Sequence, residues 1–394
     1  MGKRGKKQRH MNQKHQNHGF YNSDEETQTS LPLQPQEDEE GQQREEQEED
    51  DENGSGDNFP SKFQLYQESV QEPKGDISYL LKFFLMYVGG RVPLHLQEDF
   101  CGTALLSGPD ATPYLILPST EWLRNDARRT AVGVDLDDEA LMWCLENNIN
   151  KIGTDVYSRL SLLHGNVLQP MKAKNVKQGF KDLMRNVTLS DSDECSETGT
   201  LASATETGPE VSSNDEHVRK NYSLFARDIV CAFNYSCCCL QKRSDLVLYF
   251  KNVLGTLSKN GGIFVMDVYG GTSSECELRL QRRFPNFTYV WEQTNFDIVH
   301  RTTRISLHFN PRNKQRKLRH AFSYDWRLWS LPEVKDCLEE AGFKSVHFWI
   351  RKMPDTSEVK NSEGFEAGRD AKYEEVSTFH QQDAWNAYIV GVAK

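Results

Sequence analysis

Residues 94–107 read LHLQEDFCGTALLS, and residues 120–137 read TEWLRNDARRTAVGVDLD. Each holds a short apolar run, Pro93–Leu96 and Ala131–Val134, of the kind that forms a buried parallel strand. The first run leads into Glu98-Asp99-Phe100-Cys101-Gly102-Thr103-Ala104, a small-residue turn that opens a helix. The second ends on Asp135. This is the layout of a nucleotide-binding βαβ unit: a ligand approaches the backbone at the first turn, and a carboxylate ending the second strand accepts ribose hydroxyls. Open α/β sheets bind ligands at the carboxyl ends of their strands, so both motifs address one crevice. The turn has one glycine, Gly102, where a pyrophosphate site needs several for close backbone approach. A nucleoside without phosphates, carrying a cationic sulfonium, suits the acidic pair Glu98 and Asp99 better.

With these residues the chain resembles the class I S-adenosylmethionine-dependent methyltransferases, in a branch whose first motif reads EDFCGTA and whose second reads GVDLD. The resemblance covers roughly residues 60–394 apart from inserts. It implies an α/β fold: a seven-stranded, mostly parallel Rossmann-like sheet with an antiparallel last strand. It also implies S-adenosylmethionine as cofactor. Asp135 would then hold the ribose, with Leu136 beside it. Asp99, Gly102 and Thr103, in a turn shared with Glu98 and Cys101, would hold the methionine end. Asn166, followed by Val167, would read the adenine. Tyr66 and Gln71, ahead of the sheet, would cover the cofactor, the alternative for Tyr66 being a residue that is simply packed. Asn234, which also borders the cofactor, and Tyr235 would face the methyl acceptor; as plain sequence they only cap a strand.

Upstream, Ile77, Leu80, Leu81, Phe84, Leu85 and Val88 recur at helical spacing, and Gly89-Gly90 ends that helix. Residues 108–119 put three prolines inside what should be the first helix of the βαβ unit and read as an insertion. Downstream, Asp138-Glu139 open a helix that buries Leu141, Met142 and Leu145. Leu160–Leu163 is a third strand, followed by Gly165-Asn166-Val167. Residues 168–226 are long for a crossover, and 189–216 are Ser-, Thr- and Glu-rich, which predicts a segment without a packed core. Asp228–Phe233 is a fourth strand, residues 242–257 a helix, and Ile263–Val268 a fifth strand. From 287 to 326 the β-rich runs FTYVWEQ, TTRISLHF and HAFSYDWRLW predict an added antiparallel meander. Leu331–Gly342 is a helix, Lys344–Ile350 a strand, 351–380 a polar loop, and Asp383–Val390 the last strand.

The first 57 residues are expected to stay outside the fold, leaving 58–394 as the folded domain. Residues 1–18 carry six Lys or Arg and no acid, and residues 24–52 carry fourteen Asp or Glu against one Arg. Such composition buries too little apolar area to offset ordering entropy. The tail and residues 189–216 each carry a net −8 of the chain's −11, so the remainder is +5. That mild positive charge allows an anionic substrate without demanding one. The basic cluster reads as a nuclear address, a nucleic-acid arm or a solvated tail.

No apolar run approaches membrane-span length and no secretory signal is evident, so a membrane partner is not expected. The nine cysteines have no C-x-x-C spacing, which excludes a zinc ribbon and points to reduced thiols of the cytosol or nucleus. No metal is expected. The exocyclic-amine signature N-P-P-Y or D-P-P-Y is absent, and Asp267, Tyr269 and His300 are the candidate bases. The expected activity is methyl transfer to an unidentified small molecule or protein side chain, since the core has no dense Lys/Arg–aromatic stripe. A nicotinamide-dependent oxidoreductase on a similar sheet and a catalytically silent interaction protein stand as alternatives.

Overall fold

The computed structural model describes residues 60–70, 73–103, 122–149, 154–176, 226–312, 317–357 and 372–393. The chain divides into two units, Met1–Asp57 and Asn58–Lys394, and the description concerns the second. The tail, Gln71, the insert at 108–119 and the segment 189–216 lie outside the described residues.

Two helices, α1 (Lys62–Val70) and α2 (Pro73–Tyr87), precede the sheet. Then come β1 (His95–Asp99), β2 (Thr130–Asp135), α3 (Asp138–Asn147), α4 (Thr154–Arg159), β3 (Leu160–His164) and the two-residue β4 (Lys174–Asn175). β5 (Ile229–Ala232), α5 (Arg243–Thr256) and β6 (Ile263–Gly270) complete the parallel part. An antiparallel excursion follows: β7 (Leu278–Arg283), β8 (Phe287–Gln293), β9 (Thr302–Pro311) and β10 (Leu318–Arg327). The chain closes with α6 (Leu331–Ala341), β11 (Ser345–Lys352), β12 (Glu374–Val376) and β13 (Trp385–Val392).

Among the described residues the main sheet has nine strands in the order β12-β11-β13-β6-β5-β1-β2-β3-β4. β3, β2, β1, β5 and β6 are mutually parallel. β13 lies antiparallel between β6 and β11. Seven strands thus form the expected Rossmann-like sheet with its reversed last strand. Two short edge strands are additions, and β12 falls inside the stretch expected to be loop. A strand of three residues is too short to show period-two patterning.

Strand alternation sends side chains to two cores. Leu96, Ala131, Ile229, Ile263 and Val390 pack with Leu80, Phe84 and Leu141 of α2 and α3. Val132, Val230, Phe264 and Ile389 pack with Phe250 and Leu338 of α5 and α6, on the other face. Helices therefore cover both faces, as a parallel sheet requires. Local signals start and stop them. Asp137 caps α3 by accepting the Ala140 N–H. Ser330 and Glu333 form a reciprocal capping box at α6, which ends on Gly342 in the left-handed region at φ 107°.

β7–β10 form a separate antiparallel sheet in sequential order. It begins at Leu278, one strand earlier than the expected 287–326. β7 reads LRLQRR, with three Arg against two Leu, and only Leu278 of it is buried. The inward face of this sheet, Ile305, Leu307 and Trp326, joins the core on the α5–α6 side. Among the described residues no helix is long and apolar enough to cross a membrane.

Candidate functional site

The carboxyl ends of β1, β2, β3, β5 and β6 open on one cavity of about 1110 Å³. β1 contributes Phe100, Gly102 and Thr103; β2 contributes Asp135, Leu136 and Asp137; β3 contributes Gly165, Asn166 and Val167. β5 supplies Phe233, Asn234 and Tyr235, and β6 supplies Asp267, Tyr269 and Gly270. The four-stranded sheet and α1 close it from above with Tyr66, Tyr289, Trp291, Phe322, Tyr324 and Trp326.

The first strand runs through Asp99, three residues further than its apolar run suggests. That extension decides where the acidic pair goes. Asp99 is buried at 3% exposure, with Gln97 Nε2 donating to Oδ1 at 2.8 Å and Tyr249 Oη donating to Oδ2 at 2.9 Å. Burial pushes its carboxyl up to about 6, against the lowering effect of those two donors. Glu98 and Cys101 are buried as well, and the Cys101 sulfur lies 2.9 Å from where a Cβ on Gly133 would sit. Glu98, Asp99 and Cys101 are not among the residues lining the cavity. Within the acidic turn only Phe100, Gly102 and Thr103 reach it. Glu98, Asp99 and Cys101 are buried beside the bend.

The bend itself is left-handed, with φ 57° at Phe100 and 56° at Gly102. A Cβ on Gly102 would meet nothing within 4 Å, so the glycine faces open cavity and is there for its backbone. Its N–H donates to Asp135 Oδ2 at 2.5 Å, and the Asp137 N–H donates to Oδ1 at 2.8 Å. The bend, the β2 carboxylate and the start of α3 are thereby tied together. A carboxylate has about four lone-pair sites, so Asp135 can still accept from a ligand hydroxyl. Burial raises the Asp135 carboxyl, and the N–H donors of Asp137 and Gly102 pull it back. Thr103 is held from both sides: Gln67 Nε2 of α1 donates to its Oγ1 at 3.0 Å, and Asn148 Nδ2 donates to its carbonyl at 3.1 Å.

Tyr66 lines the cavity and packs on Phe322, ring centroids 5.1 Å apart. Burial raises its phenol far up, and the phenols of Tyr324 and Tyr289 and the carboxylates of Asp267 and Asp135 add to that. Leu136 is 65% exposed at the β2 end, an apolar side chain that lines the cavity beside the carboxylate. Asn166 accepts the Leu168 N–H at its Oδ1, 2.9 Å, in a local turn. Val167 behind it is buried.

Asn234 and Tyr235 stand consecutively in the left-handed region, φ 57° and 60°. Two non-glycine residues in that conformation cost of order 1 kcal/mol or more each. Asp267 offsets the cost: its Oδ2 accepts the Asn234 N–H at 3.0 Å and its Oδ1 the Tyr235 N–H at 2.8 Å. Burial first, with the nearby Asp76 carboxylate adding to it, pushes the Asp267 carboxyl up to about 8 despite those donors. Of the three candidate bases, Asp267 and Tyr269 line the cavity. His300 does not; it is exposed and pairs with Asp297 at 2.6 Å. Burial raises the thiols of Cys237 and Cys238, and partial desolvation raises that of Cys239, which is otherwise exposed.

Beyond Asp267 lies a group that sequence reading missed. Asp76 and Tyr79 come from α2, Arg351 from β11, Tyr373 from just before β12 and Tyr388 from β13; all line the cavity. Their separation along the chain spans some three hundred positions, and no spacing rule could have joined them. Among the described residues no group of three or more His, Cys, Asp or Glu could hold a metal ion.

No family model matches the chain and no curated protein does. Solved structures similar to it include a S-adenosylmethionine-dependent methyltransferase from Clostridium acetobutylicum, at 13% identity, covering 84% of this chain and 97% of that one with a TM-score of 0.47. The CcbJ methyltransferase from Streptomyces caelestis is 10% identical, covers 85% and 99%, and scores 0.46. DesVI from Streptomyces venezuelae is 12% identical, covers 84% and 95%, and scores 0.44. Likenesses at this level carry no functional weight, so the case for function rests on the residues of the cavity.

Proposed function

We propose that this protein transfers a methyl group from S-adenosylmethionine to an acceptor enclosed in the same cavity. The observation that carries the reading is the meeting of Asp135 with the Gly102 bend at the carboxyl ends of β2 and β1.

The residues fit this cofactor better than a dinucleotide. The strand-end loops of β1, β2 and β3 that line the cavity carry the carboxylates of Asp135 and Asp137, a glycine bend, Asn166 and small or apolar residues, with no Lys or Arg to meet a pyrophosphate. Asp135 would hold the ribose hydroxyls, Leu136 and Val167 would pack the adenine with Asn166 at its edge, and Gly102 and Thr103 would leave room for the methionine end. Bound there, S-adenosylmethionine supplies a methyl group on a cationic sulfur, open to in-line attack.

The protein's own work is positioning and exclusion of water. The Asn234–Tyr235 turn, braced by Asp267, sits between the nucleoside end and the tyrosine-rich end, where the acceptor would present its nucleophile. Tyr66 and the aromatic wall of the four-stranded sheet cover the pair. Walls this aromatic and enclosed suit a small molecule or a single side chain, and they suit a long nucleic acid poorly.

Calorimetric titration with S-adenosylmethionine and with NADH tests the reading. Binding of the first alone supports it. Binding of NADH without any response to S-adenosylmethionine overturns it.

A further inference from the structure

An aromatic path leads from the far end of the cavity to the acceptor turn. Tyr373 lies against Tyr388 with ring centroids 4.3 Å apart, and Tyr388 lies 5.7 Å from Phe233, the residue before Asn234. Arg351 of β11 stands at the outer end of this path, its guanidinium 4.8 Å from the Tyr373 centroid. All four line the cavity. Arg351, Asn386 and Tyr269 are register partners across β11, β13 and β6. The two inter-strand spacings from the first to the last amount to roughly 10 Å, the length of a small molecule.

Five arginines bury an Nε that has no hydrogen-bond partner: Arg91, Arg129, Arg159, Arg327 and Arg351. Four of them are held through their other nitrogens. Arg91 pairs with Asp228 at 2.6 Å and Arg327 with Glu333 at 3.0 Å. Arg129 donates to the Trp122 carbonyl at 3.3 Å, and Arg159 to that of Leu123 at 2.9 Å. Among the described residues the guanidinium of Arg351 alone has neither a hydrogen bond nor an ion pair; it touches only the Tyr373 ring. The carboxylates whose charge also reaches Tyr373 are engaged elsewhere. Asp76 accepts the Tyr388 hydroxyl, and Asp267 accepts the Asn234 and Tyr235 N–H groups. Lys372, exposed and also lining the cavity, adds charge of the same sign as Arg351. A guanidinium partly withdrawn from water with no anion beside it is costly to keep. Its planar fork meets a carboxylate through two parallel N–H bonds.

We propose that the methyl acceptor is a carboxylic acid with an apolar body. Its carboxylate sits on the Arg351 fork and its body runs along Tyr373, Tyr388 and Phe233, which brings its nucleophile to the Asn234–Tyr235 turn. The inference rests on the methyl-transfer reading and names its substrate class. A neutral acceptor leaves the fork unpaired. A phosphate ester carries about −1.5 to −2 near neutral pH, against one guanidinium and one exposed lysine, whereas a carboxylate matches the guanidinium charge for charge. Seat and turn belong to one site: burial, then Asp267 and Tyr373, raise the Tyr235 phenol, and the charge of Arg351 pulls it back. Arg351 acts here as a specificity residue, remote from the reacting atoms.

The test uses the full chain loaded with S-adenosylhomocysteine, whose binding is measured first. Phenylacetate, 3-phenylpropanoate and 4-phenylbutanoate are then titrated calorimetrically against their primary amides, with phenyl phosphate as the competing anion. At least one carboxylate should bind ~10-fold or more tightly than its amide and than phenyl phosphate. Arg351→Met keeps an apolar stem on Tyr373 and should erase that preference, with S-adenosylhomocysteine affinity unchanged. Arg351→Lys keeps the charge without the fork and should cut the preference several-fold; it decides the matter alone if the methionine variant does not fold. Binding of S-adenosylhomocysteine with no preference for carboxylate over amide overturns this inference and leaves methyl transfer standing. So does tighter binding of phenyl phosphate, or a preference that survives either substitution at full size. Failure to bind S-adenosylhomocysteine overturns both.

Discussion

The carboxylate of Asp135 accepts the backbone N–H of Gly102 at 2.5 Å, across 33 positions of sequence. One residue ends β2 and the other forms the bend after β1, so a single bond joins the two motifs of the βαβ unit. The same carboxylate receives the Asp137 N–H at the start of α3. A group this constrained has its orientation set before any ligand arrives, which lowers the ordering cost of binding.

Gly102→Ala is expected to weaken S-adenosylmethionine binding more than it weakens the fold. The φ of 56° costs an alanine about 1 kcal/mol. The added methyl meets no protein atom within 4 Å and projects into the space assigned to the ligand. Urea unfolding should show the modest loss, and calorimetry a larger drop in affinity. Unchanged affinity would place the ligand elsewhere.

Gln67→Leu tests whether α1 is fastened to the bend. Gln67 is 2% exposed, its Nε2 donates to Thr103, and its Oε1 has no partner. Leucine removes one bond and one unsatisfied acceptor together, so stability should stay within about 1 kcal/mol of wild type. Cofactor affinity should fall several-fold as Thr103 and α1 loosen. Equal affinity in the variant would show that this contact only packs.

Tyr249→Phe should reveal Asp99 through pH. The folded Asp99 carboxyl lies near 6, above its ordinary value of 3.8, so the folded state holds a proton that the unfolded state has released. This group's contribution to stability therefore declines as pH rises from about 4 to 6. Phenylalanine removes the donor on Oδ2 and pushes the carboxyl higher still. The variant's deficit, about 1–3 kcal/mol for the orphaned buried acceptor, should be greater at pH 8 than at pH 5 in urea titrations. A deficit independent of pH would mean that Asp99 does not ionise in the folded state.

Much of this architecture was legible in the chain. The runs Ala131–Val134, Leu160–Leu163 and Ile263–Val268 are apolar but for Ser161 and Asp267, as strands covered on both faces tend to be, and each lies in a strand whose ends fall within two residues of the run's. Gly342 and Ser330 mark the ends of α6 in sequence and in space. β1 was less legible. His95, Gln97, Glu98 and Asp99 are polar, and nothing local shows that three of them are buried by Tyr249, Arg227 and one another. The cavity divides along the same line. Gly102, Asp135 and Asn166 follow strands in simple order, and strand ends converge by topology alone. Asp76, Arg351, Tyr373 and Tyr388 reach the site only through the reversed β13 and the helix packed beneath it, which periodicity does not encode.

Asp135→Ala, titrated with S-adenosylmethionine beside wild type, is the most direct measurement. Loss of charge-assisted bonds to the ribose should cost about 2–3 kcal/mol of binding free energy, a fall of roughly 30- to 150-fold in affinity. Wild-type affinity in this variant would contradict the placement of the cofactor at the meeting of Asp135 and Gly102.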